Sequence, residues 1–144
     1  MTADFAFAIS QVRSEGRALI ESLMVDQCVI TRAGTGKGAF NEATGQYATP
    51  ARQTIYTGKC RFQSAGIANA ASTVVDAGDR AADVQGGELQ LPVLASADVA
   101  VNDVVEITSA PADPGRVGRK YNVSTRFEKT DASARRVRLL EVTA

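Results

Sequence analysis

The feature that most limits what this chain can fold into is a change of hydrophobic period near residue 25. Before it, Phe5, Ile9, Val12, Gly16, Leu19 and Leu23 recur every three or four residues. That is the stripe of an amphipathic helix, predicted over residues 4–23, with Arg13, Glu15, Arg17 and Glu21 lying mostly off it. Gly16 weakens such a helix by about 1 kcal/mol relative to Ala and leaves room for a close neighbour. After residue 25 the period falls to two, the signature of strands with one buried and one wet face. No later segment returns to a helical period, so a fold that alternates strand and helix is disfavoured.

The clearest strand is 52–63. Tyr56, Cys60 and Phe62 share one face, with Gly58 between them as a candidate bulge or bend. Thr57, Lys59, Arg61 and Gln63 share the other. Further strands are predicted at Val25–Arg32, Glu88–Leu94, Val99–Val101, Val104–Thr108, residues 121–127 and Arg136–Val142. In the stretch 121–127, Tyr121, Val123, Thr125 and Phe127 alternate. Two long stretches lack this pattern: 34–51, rich in Gly, Asn and Thr, and 64–86, rich in Ala, Gly, Ser and Asp. The expectation is a mainly β fold in a single domain, residues 1–144. It consists of a small six-stranded β-barrel or sandwich (25–143), one N-terminal α-helix, and long loops at 34–51 and 64–86.

Several classes of chemistry are excluded by inventory. The chain has no histidine, which removes Ser-His-Asp and Cys-His nucleophile systems and most zinc sites. Cys28 and Cys60 cannot make a four-sulfur zinc site and no histidine is there to complete a mixed one; they read as small buried hydrophobes on inward strand faces, or as a contact pair. Lys plus Arg and Asp plus Glu are 16 each, so there is no overall basic excess of the kind a general nucleic-acid binder carries. No uninterrupted apolar stretch is long enough for a membrane helix, and the N-terminus lacks the pattern of a secretory signal. Synthesis in the cytoplasm with both thiols reduced is the expectation, with no catalytic residues, no cofactor, no metal and no membrane partner.

GTGKG at Gly34–Gly38 resembles a phosphate loop only superficially. Thr31 stands where the Walker pattern needs its first glycine, Lys37 is followed by Gly38, and no helix pattern follows. It reads as a loop bearing one lysine. Between Arg116 and Arg138 eight bases face only Glu128 and Asp131. Arg135, Arg136 and Arg138 are therefore a candidate basic surface, either the wet face of the last hairpin or a patch for an acidic partner.

One long stretch carries more than composition. VDQCVITRAGTGKGAFNEATGQYATPARQTIYTGKCRFQS is similar to the front half of small head-completion proteins of long-tailed bacteriophages. That family has a first strand, a Thr-Gly loop (here Thr44 and Gly45), and a strand aromatic-Thr-Gly-x-Cys-Arg-x-Gln. The last corresponds here to Tyr56, Thr57, Gly58, Cys60, Arg61 and Gln63. GELQLPVLASADVAVNDVVEI resembles its strand–turn–strand unit, with Asp103 after the turn, and RRVRLLEV its closing strand. The resemblance covers nearly the whole chain.

It implies a head-to-tail stopper, or head-closure protein. Identical subunits would form a ring at the virion neck, joined to the portal or adaptor above and to the tail terminator below. The ring would help retain packaged double-stranded DNA, which passes through without sequence-specific binding. A long loop would face the channel, and the sequence offers two, 34–50 and 65–86, the second Ala-rich and equally readable as an interface arm; on the first, Thr35, Lys37, Asn41, Thr44 and Gly45 are candidate channel-facing residues. The other readings are a tail-terminator or tail-tube-like ring protein and, in a different class, a nucleic-acid-binding barrel with exposed aromatics for stacking. A shared core of Tyr56, Cys60, Phe62, Leu89, Leu91, Val105, Ile107, Tyr121, Val123 and Leu139 is predicted, so Phe62→Ala is expected to cost about 3–5 kcal/mol in denaturant unfolding.

Overall fold

A sheet with one apolar face must bury it, and this sheet does so by closing on itself. The computed structural model describes residues 2–64, 75–76, 81–82 and 86–141. Helix α1 (Thr2–Ser22) precedes β1 (Asp26–Arg32), a two-stranded hairpin β2 (Phe40–Asn41) and β3 (Gln46–Tyr47), and the long β4 (Gln53–Ser64). A second short pair, β5 (Val75–Asp76) and β6 (Ala81–Ala82), is followed by β7 (Gly86–Leu91), β8 (Val104–Ser109), β9 (Lys120–Phe127) and β10 (Arg135–Glu141). The barrel order is β1-β4-β7-β10-β9-β8, antiparallel throughout, and the pairing of β1 with β8 closes it.

The core follows from this closure. Each of the six strands sends two side chains inward: Cys28 and Ile30, Tyr56 and Cys60, Leu89 and Leu91, Val105 and Ile107, Tyr121 and Val123, Val137 and Leu139. Val99 and Ala110 plug the ends. A barrel of this size is filled by its own side chains and has no lumen. The predicted core is present, with one change: Phe62 is only partly buried, stacked on Tyr121 at 5.3 Å between ring centroids and covered by the Arg116 guanidinium at 5.1 Å.

Gly58 occupies a position that only glycine suits. Its φ is +156°, and a Cβ there would lie 2.9 Å from the Tyr56 hydroxyl. The Tyr56 ring folds over the gap, and its hydroxyl donates to the Lys59 carbonyl at 2.6 Å. Burial pushes the Tyr56 hydroxyl pKa upward, so it stays a donor at any physiological pH. Cys60 sits against Cys28. The hydrogen bond between these thiols, together with burial, raises the Cys28 pKa and keeps it inert.

The structure departs from the sequence expectations in four places. The alternation of residues 121–127 breaks at Ser124, because Arg138 pairs with Thr125 while Leu139 pairs with Val123. This bulge turns Thr125 and Phe127 outward and brings Arg126 toward the barrel end. There Arg126 Nη1 donates to the carbonyls of Ala97 (3.1 Å) and Val99 (2.8 Å). Val99–Val101 is not a strand; it belongs to a turn-rich connection held by these bonds. Residues 34–51 are not simply a loop, since they contain the β2–β3 hairpin. Of the loop expected at 64–86, only its end residues Ser64 and Gly86 and the β5–β6 pair are described; the rest lies outside the described residues.

The fourth departure concerns α1. Its predicted apolar stripe faces solvent: Phe5 is 75% exposed, Val12 69% and Leu19 66%. The residues turned toward the barrel are Gly16, Arg17, Ile20 and Glu21, followed by buried Met24. The links are polar: Arg13 to Asp131 at 2.6 Å, Arg17 Nε to the Ala132 carbonyl at 3.3 Å, and Lys59 to Glu21 at 3.3 Å. Among the described residues no helix is long and apolar enough to cross a membrane.

Burial orders three expected stability losses in urea unfolding. Leu89→Ala, fully enclosed, should cost about 2–5 kcal/mol. Phe62→Ala should cost less than Leu89→Ala, because one face of its ring already meets Arg116 and solvent. Gly58→Ala should cost about 1–3 kcal/mol through strained backbone and the displaced Tyr56 ring.

Candidate functional site

The segment with the strongest claim to function is the one that leaves the barrel between β1 and β4. Its root is fixed by charge. At the end of β1, Arg32 donates through Nε and Nη2 to the two carboxylate oxygens of Asp103, at 2.7 and 3.0 Å, and through Nη2 to the Asp98 carbonyl at 2.8 Å. Asp103 is 1% exposed and also accepts from the Ala100 backbone N–H at 2.9 Å. Its hydrogen bonds hold the Arg32 proton above the ordinary range. A forked cation on a planar carboxylate fixes orientation as well as distance. The turn between Ala100 and Asp103 is thereby locked to the place where the segment departs.

Beyond the root the two branches run side by side. The Gly38 N–H donates to the Ala48 carbonyl at 3.0 Å, and Ala48 N–H donates to the Ala39 carbonyl at 2.8 Å. A Cβ on Gly38 would fall 2.2 Å from the Ala48 oxygen, so glycine is required for the branches to approach. The GTGKG run is thus the stem of a hairpin. Phe40 and Tyr47 pack across it at 5.0 Å, and Lys37 Nζ lies 4.8 Å from the centre of the Tyr47 ring. Asn41 forms the start of the turn, with its side-chain oxygen accepting from Ala43 N–H at 2.9 Å, and Thr44 and Gly45 complete the tip. Residues 39–49 are exposed throughout. The structure therefore places Thr35, Lys37, Asn41, Thr44 and Gly45 on one projecting hairpin.

The candidate strand residues have a different role. Tyr56, Gly58 and Cys60 are core and backbone determinants of β4. Arg61 and Gln63 lie on the outer face, where Gln63 accepts from the Gln90 amide at 3.2 Å. Arg61 pairs in register with Gln90, which pairs with Arg136; Gln63, Glu88 and Arg138 form the next row. With Lys59 this gives a mainly basic outer face, moderated by Glu88, which lies 3.6 Å from Arg136.

The three clustered C-terminal arginines separate. Arg136 and Arg138 are exposed on that face, and Arg138 lies over the Phe127 ring at 5.8 Å. Arg135 turns the other way. It donates to Ser96 Oγ at 3.1 Å and to the Val93 carbonyl at 2.9 Å, and burial, with Arg126 nearby, lowers its pKa. Much of the basic run is likewise paired with acids that lie outside it in the sequence. Arg116 contacts Asp26 and Asp113, each at 3.3 Å, and Arg119 faces Glu141 at 3.7 Å. Arg116 with Asp113 and Arg119 with Glu141 line a cleft of about 650 Å³ beside Phe62 and Tyr121 and leave it internally compensated. Sequence reasoning missed Asp26 as the partner of Arg116, since nothing local links positions 90 residues apart. The sequence leaves the face of Phe127 open, since it carries no signal for the bulge that turns this ring outward.

Among the described residues, no group of three or more Cys, Asp and Glu side chains is placed to hold a metal ion. Comparison with curated proteins and with solved structures gives no match. A family match covers residues 16–139, from the middle of α1 into β10, under the description "Family of unknown function (DUF6093)". The chain belongs to this family, DUF6093, and its shared part takes in the whole closed sheet up to Leu139 together with the projecting hairpin.

Proposed function

We propose that this chain is a structural subunit of a phage head-to-tail connector, a stopper that forms a homo-oligomeric ring at the virion neck. The observation that carries the reading is the projecting hairpin on a sealed barrel. Thr44 and Gly45, which correspond to the Thr-Gly loop of the resembling family, stand at the tip of the exposed segment, and the Tyr-Thr-Gly-x-Cys-Arg-x-Gln stretch forms the strand at its base. A filled barrel offers no passage of its own, so a channel for DNA has to be made between subunits. A ring of copies provides one, with the hairpins directed inward.

The chemistry of such a channel fits the charge pattern. Retaining DNA that must later slide requires contacts that are numerous in shape but few in charge, because each neutralised phosphate adds to affinity. The hairpin carries one acid, Glu42, and one base, Lys37, between residues 34 and 50. The portal or adaptor on one side and the tail terminator on the other are the proposed neighbours, and no catalytic step is assigned. The barrel reading for nucleic-acid binding fares worse. It needs stacking rings on a strand face of the barrel, whereas Tyr121 is buried, Phe127 is a single half-exposed ring with Arg138 over it, and the exposed pair Phe40 and Tyr47 stands on the hairpin rather than on the barrel.

Cryo-EM of purified virions tests the reading. The expected result is the chain in a symmetric ring between head and tail; its absence from the particles overturns the proposal. A second expectation concerns the hairpin. Replacing residues 39–47 by a short Gly-Ser turn should move the thermal midpoint of the purified subunit by less than about 4 °C, because these residues make no hydrogen bond or ion pair to the barrel strands among the described residues. Virions carrying that variant should lose packaged DNA, measured by nuclease sensitivity of the genome.

A further inference from the structure

The connection between β7 and β8 is held at one end of the barrel by two arginines that meet no carboxylate in hydrogen-bonding geometry among the described residues. Arg126 donates through Nη1 to the carbonyls of Ala97 and Val99, at 3.1 and 2.8 Å. Arg135 donates through Nε to Ser96 Oγ at 3.1 Å and through Nη2 to the Val93 carbonyl at 2.9 Å. A guanidinium has five N–H donors, so each side chain keeps one two-pronged edge unused. On Arg126 that edge is Nε with Nη2; on Arg135 it is Nη1 with the second Nη2 hydrogen. Arg32 shows what such an edge does in this molecule, since its Nε and Nη2 grip the two oxygens of Asp103 at 2.7 and 3.0 Å. Arg126 Nε is also buried with no hydrogen-bond partner among the described residues. A buried donor left unpaired is costly, and marks a place for a water or an ion.

Both arginines line a hollow of about 460 Å³, walled by Val93 and Phe127 and with Lys129 alongside. Glu128 is the one acid in its lining. Its Oε1 lies 3.3 Å from Arg126 Nε but out of line for a hydrogen bond, and its side chain is 75% exposed. The other acids nearby, Asp131 and Glu88, line the neighbouring groove instead and are paired with Arg13 and Arg136. Three cations against one carboxylate leave the hollow with a surplus of two positive charges. Burial, and then the charge of Arg126, push the Arg135 pKa down, with Glu128 opposing. The two guanidinium groups are therefore close enough to repel.

We infer that this hollow is a binding site for a phosphate dianion, free or at the end of a phosphate monoester, held between the unused edges of Arg126 and Arg135. Two forked edges match the several oxygens of a tetrahedral anion, and Lys129 adds a point charge. The surplus of two positive charges matches a dianion better than a carboxylate or a phosphodiester, each of which carries one negative charge. Glu128 swings aside as the anion enters, which its exposure permits. The anion then gives Arg126 Nε its missing acceptor and screens one guanidinium from the other. Arginines that served only to pin the connection would need neither the free edges nor the surplus charge. The site is independent of the neck reading, since it draws on one subunit alone.

NMR of the arginine side-chain N–H groups in the full purified chain tests it. Sodium phosphate is titrated near pH 8, where it is a dianion, with sodium chloride holding the ionic strength constant. The expected result is a saturating shift of the Arg126 and Arg135 Nε–H signals with a Kd of about 1 mM. Sodium acetate in the same titration should leave both signals in place. Glu128→Gln, an exposed change that removes the competing carboxylate, should tighten phosphate binding about threefold or more, and Lys129→Ala should weaken it by a similar factor. A shift that never saturates, an equal response to acetate, or an affinity unmoved by Glu128→Gln overturns the inference and leaves the two arginines as pins for the connection. A short DNA duplex without terminal phosphates supplies the last arm. If it leaves bound phosphate undisturbed, the dianion assignment stands; if it displaces phosphate from the hollow, the assignment is overturned in favour of the DNA backbone.

Discussion

Everything else in this molecule depends on the closure of the sheet through β1 and β8. Without that pairing the sheet would have two open edges and an apolar face with nothing to cover it. With it, the two inward side chains of each strand meet those of the other five, and the interior is complete. Among the described residues helix α1 places no side chain in that interior; Ile20 is half-buried, and Met24, just past the helix, is buried outside the core cluster. The barrel therefore leaves its appendages unconstrained by the core. This is why an apolar helix and a polar hairpin can both extend from so small a body.

The parts of this architecture that were readable in the sequence are those set by local periodicity. A period of two marked β1, β4, β7, β8 and β10, because a half-buried strand must alternate. The same rule failed at Ser124. One extra residue there reverses the faces of Thr125 and Phe127, and neither residue type announces a bulge. Val99 was misread for a related reason. It is fully buried, as a strand residue would be, but its connection is held by Arg126 and Arg135 donating to carbonyls from other elements. The stripe on α1 was read correctly as a stripe, yet periodicity reports only that a face is apolar. What covers that face is a matter of tertiary structure.

The candidate site was legible to a different degree. The residues of the hairpin lie together because they are close in sequence, so their grouping required no knowledge of the fold. The basic run from Arg116 to Arg138 was close in sequence too, but its charges are distributed by strand direction and by long-range partners. Asp26 and Asp113 share Arg116, Glu141 takes Arg119, Glu88 takes Arg136, and backbone carbonyls take Arg126 and Arg135. Local net charge is a poor guide where the fold supplies the counterions. Asp103 shows the opposite case. A short motif singled it out, and its role proves to be holding the root of the hairpin through Arg32.

The two appendages leave β1 from opposite ends. α1 ends at Ser22, four residues before Asp26, and the hairpin root begins at Arg32. Any pull between helix and hairpin therefore runs along the axis of β1. The strand is bonded on both sides, to β4 from Asp26 to Arg32 and to β8 from Gln27 to Thr31. Its hydrogen bonds lie across the strand. Such a load meets them in shear, so that they must fail together rather than unzip one at a time. β1 is in this sense a tie rod: tension applied at one appendage is delivered to the other along a strand bonded on both sides.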